Sequence, residues 1–427
     1  MRSITTIIIE SDKIKKMKKQ LLLVFLVSAG LAAQAGDTTE VAKAKTVATA
    51  AAVAPKEGGD TGKFTFSGYL DFYYFGNFNN PQDRLNTGVY GAARAFDQRA
   101  GQFQLGIVQA KASYTSEKVD AVMDLAFGNN ADLGNYGNTV SLNTGAATST
   151  ALAIKQAYLT LKATSKLSFT AGQFGTHIGY EVIDAPVNYN YSLSNLFNNG
   201  PFYHLGVKAQ YAISDKASIM VGVVNNIDRN YDNNRAKGFI AQLALIPVTG
   251  WNIYLNTAIS NEADVRSRPD KNVGTDTTGT YSIFDLTTTY QISSKFFLGL
   301  NAVYGSQTGG YQLSNNPYAT GTYVDKATSW GGVAVYTNYA VSDKFGLGAR
   351  YEVFDNTGGA RALVAADGTG VSVNSITVTG NITTGNGHVL LKPEFRVDSY
   401  SKNKFIDGDG KLTKSQTTLG MAAIFKF

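Results

Sequence analysis

From Lys63 to the final residue, apolar and polar positions alternate with a period of two. Phe64, Phe66, Leu70 and Phe72 alternate with Thr65, Ser67, Tyr69 and Asp71. Val119, Ala121, Met123, Leu125 and Phe127 alternate with Asp120, Val122, Asp124 and Ala126, and Trp251, Ile253, Leu255 and Ile259 with Asn252, Tyr254, Asn256 and Ser260. Phe345, Leu347, Ala349, Tyr351 and Val353 alternate with Gly346, Gly348, Arg350 and Glu352, and Leu419, Met421, Ala423, Phe425 and Phe427 close the chain in the same way. Successive strand side chains point to opposite faces, so each segment has one apolar and one polar wall. Sixteen segments are expected as strands, near 63–75, 103–114, 119–128, 151–163, 167–175, 203–213, 217–226, 237–246, 251–260, 281–292, 295–305, 329–340, 344–355, 374–384, 388–398 and 416–427. The fourteenth is the weakest, being rich in Thr. Fourteen or eighteen strands stay open as counts, since an even number is what two ends on the same side require.

The connections alternate too. Tight turns of related chemistry recur at Ser116-Glu117-Lys118, Ser165-Lys166, Ser214-Asp215-Lys216, Ser294-Lys295 and Ser342-Asp343-Lys344. Between them lie long polar loops, at about 76–101, 129–150, 176–202, 260–280, 305–328 and 355–374. Short turns at one end and long loops at the other fit an all-β, antiparallel, up-and-down transmembrane β-barrel, with the turns facing the periplasm. Segments of about ten residues are the length that a tilted strand needs to cross hydrocarbon.

Alternation alone does not separate this barrel from a soluble sandwich, whose apolar walls meet inside. Three features decide for the membrane. Aromatics gather at strand ends (Tyr74, Phe75, Tyr114, Phe127, Tyr211, Trp251, Tyr281, Tyr304, Tyr339), where interfacial girdles belong. The polar faces carry charge at Asp71, Asp124, Lys208, Arg350, Glu352, Glu394 and Arg396, as a wet lumen allows. The last strand ends Phe425-Lys426-Phe427, a terminal aromatic like the signal that barrel-assembly machinery reads.

The N-terminus adds an address. Lys18-Lys19, the apolar run Leu21 to Ala33 and the small-x-small end Ala33-Gln34-Ala35 form an export signal, expected within residues 1–35 and cleaved after Ala35. That run is shorter than the ~20 residues that a membrane helix needs. Residues 36–62 are rich in Ala, Thr, Lys and Gly without alternation and are expected as a disordered periplasmic tail, leaving 63–427 for the barrel.

Composition changes little after that. The net charge of +6 sits largely in the first 35 residues; beyond them 32 basic and 30 acidic residues nearly cancel, so no basic body exists to grip nucleic acid. There is no cysteine for a disulfide or a thiolate-bound metal, and no cofactor is called for.

The stretches Gly172-Gln173-Phe174, Gly179-Tyr180-Glu181, Asn188-Tyr189-Asn190-Tyr191-Ser192 and Gly200-Pro201-Phe202-Tyr203-His204-Leu205-Gly206 resemble the β-barrel porin-2 family of Gram-negative outer membranes. Arg350-Tyr351-Glu352-Val353-Phe354-Asp355 is similar to that family's late-strand motif, and Lys392-Pro393-Glu394-Phe395-Arg396-Val397-Asp398 to its penultimate strand. The resemblance implies an outer-membrane porin or porin-like channel for ions and small hydrophilic solutes and carries no solute preference with it. Lipid and assembly machinery are its expected partners, and barrel size points by analogy to a homotrimer. The rival is a barrel plugged by its own loops, serving as an adhesin or surface receptor.

Catalysis has little support. His177, His204 and His388 stand beside no nucleophilic Ser with an orienting partner, so no enzyme is expected. Asp407 and Asp409 match the third and fifth places of a calcium loop, but Phe405 and Gln416 occupy its first and last ligand places, so an extracellular hairpin is favoured. The strongest candidate is the loop from Thr176 to Pro201. Folded into the lumen, its Glu181 and Asp184 are expected to face Arg350 and Arg396 across a constriction, a transverse field that sorts solutes by charge and size. Glu352, Glu394, Lys208 and Asp71 complete the expected pore lining. A plain charge ladder within the wall is the competing role for Arg350, Glu352, Glu394 and Arg396.

Overall fold

The period-two segments are strands in the computed structural model, which describes residues 62–134, 153–228, 232, 236–261, 280–307, 311–312, 323–324 and 328–427. The expected export signal and tail therefore lie outside the described residues, Gly62 excepted. In chain order the strands are β1 (Lys63–Asn77), β2 (Phe103–Thr115), β3 (Val119–Phe127), β4 (Ile154–Lys162), β5 (Leu167–Gly175), β6 (Tyr203–Ser214), β7 (Ala217–Val224) and β8 (Gly238–Leu245). They continue as β9 (Trp251–Asn261), β10 (Thr280–Gln291), β11 (Phe296–Gln307), β12 (Thr328–Ser342), β13 (Phe345–Asp355), β14 (Ser372–Thr384), β15 (Val389–Tyr400) and β16 (Ser415–Lys426). Each pairs antiparallel with its sequence neighbours, and β16 returns to β1 in the register Tyr69–Lys426 to Asn77–Thr418, so the sheet is a closed sixteen-stranded barrel. Closure leaves no free sheet edge, the condition for a strand to sit in lipid. The Thr-rich fourteenth segment forms a full strand, paired along its length on both sides.

The tight turns owe their repeated chemistry to two bonds. Hydroxyls of Thr164, Ser214, Ser293 and Ser342 each accept the backbone N–H of the lysine two residues on, at 3.1–3.4 Å. The carbonyls of Lys118, Lys166, Lys216, Lys295 and Lys344 then each accept an N–H from the next hairpin at 2.8 Å. These turns thus tie consecutive hairpins together.

The outer wall carries the apolar rows. Phe64, Phe103, Met123, Phe169, Phe284, Tyr351 and Leu419 are all exposed to the surroundings, Phe103 by 78%. Seven of the nine expected girdle aromatics face out, but Phe75 and Tyr281 do not; they are 1% and 5% exposed. Parity explains it, because Tyr74 and Phe284 hold the outward positions on those strands. The inner wall is also less polar than expected. Ile240, Ile283, Trp330, Phe354 and Val373 are buried in one apolar cluster with loop residues such as Tyr180, Leu196 and Leu363, since loops fold down over the upper lumen.

Two short helices lie in the loops, α1 (Asn129–Gly134) and α2 (Asn195–Asn199). No described helix is long and apolar enough to cross a membrane, which says nothing about strands.

Candidate functional site in the lumen

The site begins with a defect in the wall. Between Leu70 and Phe72 the β1–β2 register shifts by a residue, which frees the N–H of Ile107 from the ladder. The Asp71 carboxylate takes that N–H at 2.7 Å, and a Cβ on Gly106 would lie 2.2 Å from the same carboxylate, so only glycine fits there. Asp71 also accepts the Tyr191 hydroxyl, from the loop 176–202 that joins β5 to β6.

That loop lies across the barrel. Near its start His177 Nε2 meets the Thr257 carbonyl on β9 at 3.0 Å, and the Gly179 N–H reaches Asp285 on β10 at 3.2 Å. Tyr180 stacks on Tyr336 of β12, ring centroids 4.0 Å apart, and Tyr189 packs on Phe297 of β11. Further along, Asp184 reaches Lys155 on β4 at 2.5 Å and Gln109 on β2 at 2.9 Å. In a ring of sixteen, β2 and β10 are opposite walls, so the loop bridges the lumen. Wall glycines make room for it: a Cβ on Gly299 would come 2.9 Å from the Tyr180 ring, and one on Gly348 3.2 Å from Tyr189.

A loop inside a barrel must find partners for its backbone N–H groups, and here wall carboxylates supply them. Glu352 on β13 accepts from the N–H of Asn195 at 2.9 Å and of Leu196 at 2.7 Å. These are first-turn donors of α2 that no intrahelical bond satisfies, and the adjacent Ser194 hydroxyl caps Phe197 at 3.0 Å. Glu394 on β15 accepts from Tyr191 at 2.7 Å and Ser192 at 3.0 Å. Cations bind the loop's carbonyls in turn: Arg350 to Ser192 at 2.6 Å, Arg396 to Leu193 at 2.7 Å, and Lys392 to Asn188 at 2.5 Å.

The charged residues singled out from sequence therefore meet, but not as expected. The gap between Glu181 and Arg350 is closed: Nη1 donates to Oε1 at 2.5 Å, and both side chains are out of solvent. Arg396 pairs through Nε with Asp398 at 2.8 Å, and Asp184 sits on the β2–β4 side, away from both arginines. Glu352, Glu394, Arg350 and Arg396 are each no more than 2% exposed and clamp the loop to the wall. Lys208 on β6 lies apart, its ammonium 4.2 Å from the centre of the Phe174 ring.

Several participants were not anticipated. Loop 78–102 also enters the barrel, where Arg94 pairs with Asp97 at 2.6 Å and with Asp398 at 3.0 Å. The signal was available in Ala93-Arg94-Ala95-Phe96-Asp97, a charge pair set among small apolar residues and too compact for a solvated loop. Lys155 and Asp285 are also inward-facing, a position that strand parity alone assigns. Among the histidines, burial pushes His177 down to about 4. His388 lies far from the loop, at the last strand, with Nδ1 on the Lys426 carbonyl. Asp407 closes a small hairpin by accepting the N–H groups of Asp409 and Lys411 at 3.1 and 2.8 Å. Among the described residues no three His, Asp or Glu side chains converge as a metal site.

Residues 63–427, the whole barrel, match the family described as Putative beta-barrel porin-2, OmpL-like. The chain belongs to that family. It is an outer-membrane porin, and the bacterial outer membrane is its location. Solved structures agree with the barrel's shape. The outer membrane channel DcaP of Acinetobacter baumannii has TM-score 0.52 and 15% identity, over 86% of this porin and 97% of that chain. An anion-selective porin from Comamonas acidovorans has TM-score 0.52 and 10% identity, over 86% and 100%. OmpT of Vibrio cholerae has TM-score 0.51 and 14% identity, over 87% and 99%. At such identities the likeness is one of fold. No curated protein matches the sequence.

Proposed function

We propose that this porin passes ions and small hydrophilic solutes by passive diffusion, along the side of the lumen that the clamped loop segment leaves free. The observation that carries this reading is the asymmetry of the inner wall. On β13 to β15 the inward charges are buried under the loop, whereas Lys111, Tyr158, Lys208, Gln210, Gln242 and Tyr254, on β2 to β9, remain partly exposed to the lumen. Polar, partly solvated side chains along one wall are what a water path requires, and a receptor plugged by its loops has no need of them. The loop then acts as a fixed restriction on width. The closed Glu181–Arg350 pair speaks against a wide transverse field at that point and for the pair as an anchor.

Liposome swelling tests the reading: proteoliposomes placed in isotonic solutions of a pentose, a disaccharide and a larger oligosaccharide should swell at rates that fall with solute size. Folded protein that gives no swelling with the smallest sugar would rule the reading out.

A homotrimer suits a barrel of this size, and chemical cross-linking in detergent checks it. Recognition of Phe427 by assembly machinery is supported by its seat at the barrel seam, where it exchanges backbone bonds with Gly68 of β1 at 3.1 and 3.0 Å. A role without catalysis is supported by His177 and His204, which are buried against the Thr257 carbonyl and the Thr176 hydroxyl.

A further inference from the structure

Among the described residues most inward charges have partners. Lys155 pairs with Asp124 and Asp184, Lys162 with Asp120, Arg350 with Glu181 and Arg396 with Asp398. Lys392 is taken up by the Asn188 carbonyl and the Asn381 side chain. Lys111 makes no ion pair among the described residues but has the carboxylate-bearing Asp124 as its register neighbour on β3. Lys208 differs. Its register neighbours are Thr170 on β5 and Gly222 on β7, neither of them charged. Among the described residues its ammonium meets no carboxylate or carbonyl, only the face of Phe174 at 4.2 Å. Gly222 leaves room at the root of that side chain, since a Cβ there would come 2.9 Å from the Lys208 Cβ. The Phe174 ring lies 6.2 Å from that of His204, which in turn is 5.4 Å from the ring of His177.

A partly covered cation on a π face is attracted by the ring but gains no countercharge from it. Its remaining N–H donors need an acceptor, and the side open to the lumen is where one arrives. We propose that Lys208 is the resting site of a small permeating inorganic anion, held by the ammonium at the mouth of the Phe174 recess. One unpaired cation binds weakly enough to release its ion, which conduction requires. The inference rests on the porin reading and adds the preferred charge of the solute at one residue.

The experiment uses the full chain in planar bilayers under a potassium chloride gradient and reads the reversal potential. Lys208→Gln should shift the permeability ratio toward potassium by about two-fold or more, whereas Lys208→Arg should keep it. Lys166→Gln, in an exposed tight turn, is the control and should also keep it. An unchanged ratio in Lys208→Gln, or an equal shift in the control, overturns the anion site while leaving the porin intact. Absence of current in every variant, wild type included, overturns the porin reading and the site together. Should Lys208→Gln fail to fold, the wild type decides alone. Conductance that levels off with rising chloride supports the site, and strict proportionality overturns it.

Discussion

Glu352 shows what single side chains do in this barrel. It stands on a strand, facing inward, and its two oxygens complete the first turn of α2 in a loop more than 150 residues earlier in the chain. Hydrogen bonds to a charged acceptor contribute about 1.5–3 kcal/mol each, so Glu352→Ala should weaken loop docking by several kcal/mol without touching the strand ladder. The expected outcome is protease cleavage within 176–202 and a larger, noisier conductance, with unchanged heat-modifiable gel mobility; a quiet wild-type conductance would contradict it. Acid should loosen the same loop from its other end. Burial lowers His177 from 6.5 to about 4, with Lys208 adding repulsion, so the docked loop binds fewer protons than a released one. Docking is then fully present above pH about 6.5 and is lost as pH falls toward 4. Open-channel noise should rise over that window, and His177→Gln should flatten the dependence. At this scale the sequence was half legible. Strand parity put Arg350, Glu352, Glu394 and Arg396 inside. What they bind there was hidden, because loop N–H and C=O groups have no residue signature.

The strands were the most legible elements, since a period of two over ten residues leaves little else to form. Even Ser372–Thr384, whose Thr and Gly blur the pattern, is held by its two neighbours rather than by propensity. Loops were legible in length but not in path. Loop 176–202 announced itself by length and acidic residues, whereas 78–102 shows only a compact Arg94–Asp97 pair. Replacing 182–198 by a short Gly-Ser linker should leave the barrel folded and raise conductance by about two-fold or more, since the ladder owes nothing to the loop. A drop in conductance would mean that the loop lines the path instead of narrowing it. The closing seam makes a separate prediction. Gly68 and Phe427 exchange backbone bonds at 3.1 and 3.0 Å, and a Cβ on Gly68 would fall 2.9 Å from the Phe427 ring and 2.3 Å from the Gln109 carbonyl. Gly68→Leu should therefore lower the yield of heat-modifiable barrel severely, and wild-type yield would show that the seam tolerates the crowding.

For the whole molecule, one wall does two jobs. Its outer face sheds water through rows of Phe, Leu, Val and Tyr, and its inner face offers charge to loops on one side and polar groups to the lumen on the other. Closure of sixteen strands gives a ring wide enough to take in loop 176–202 and still keep partly solvated side chains from β2 to β9. Single-channel recording of the refolded full chain in planar bilayers tests this most directly. A water path beside a clamped loop predicts uniform stepwise increases in current whose size rises with salt concentration. A barrel that inserts, keeps its heat-modifiable mobility and passes no current would contradict it.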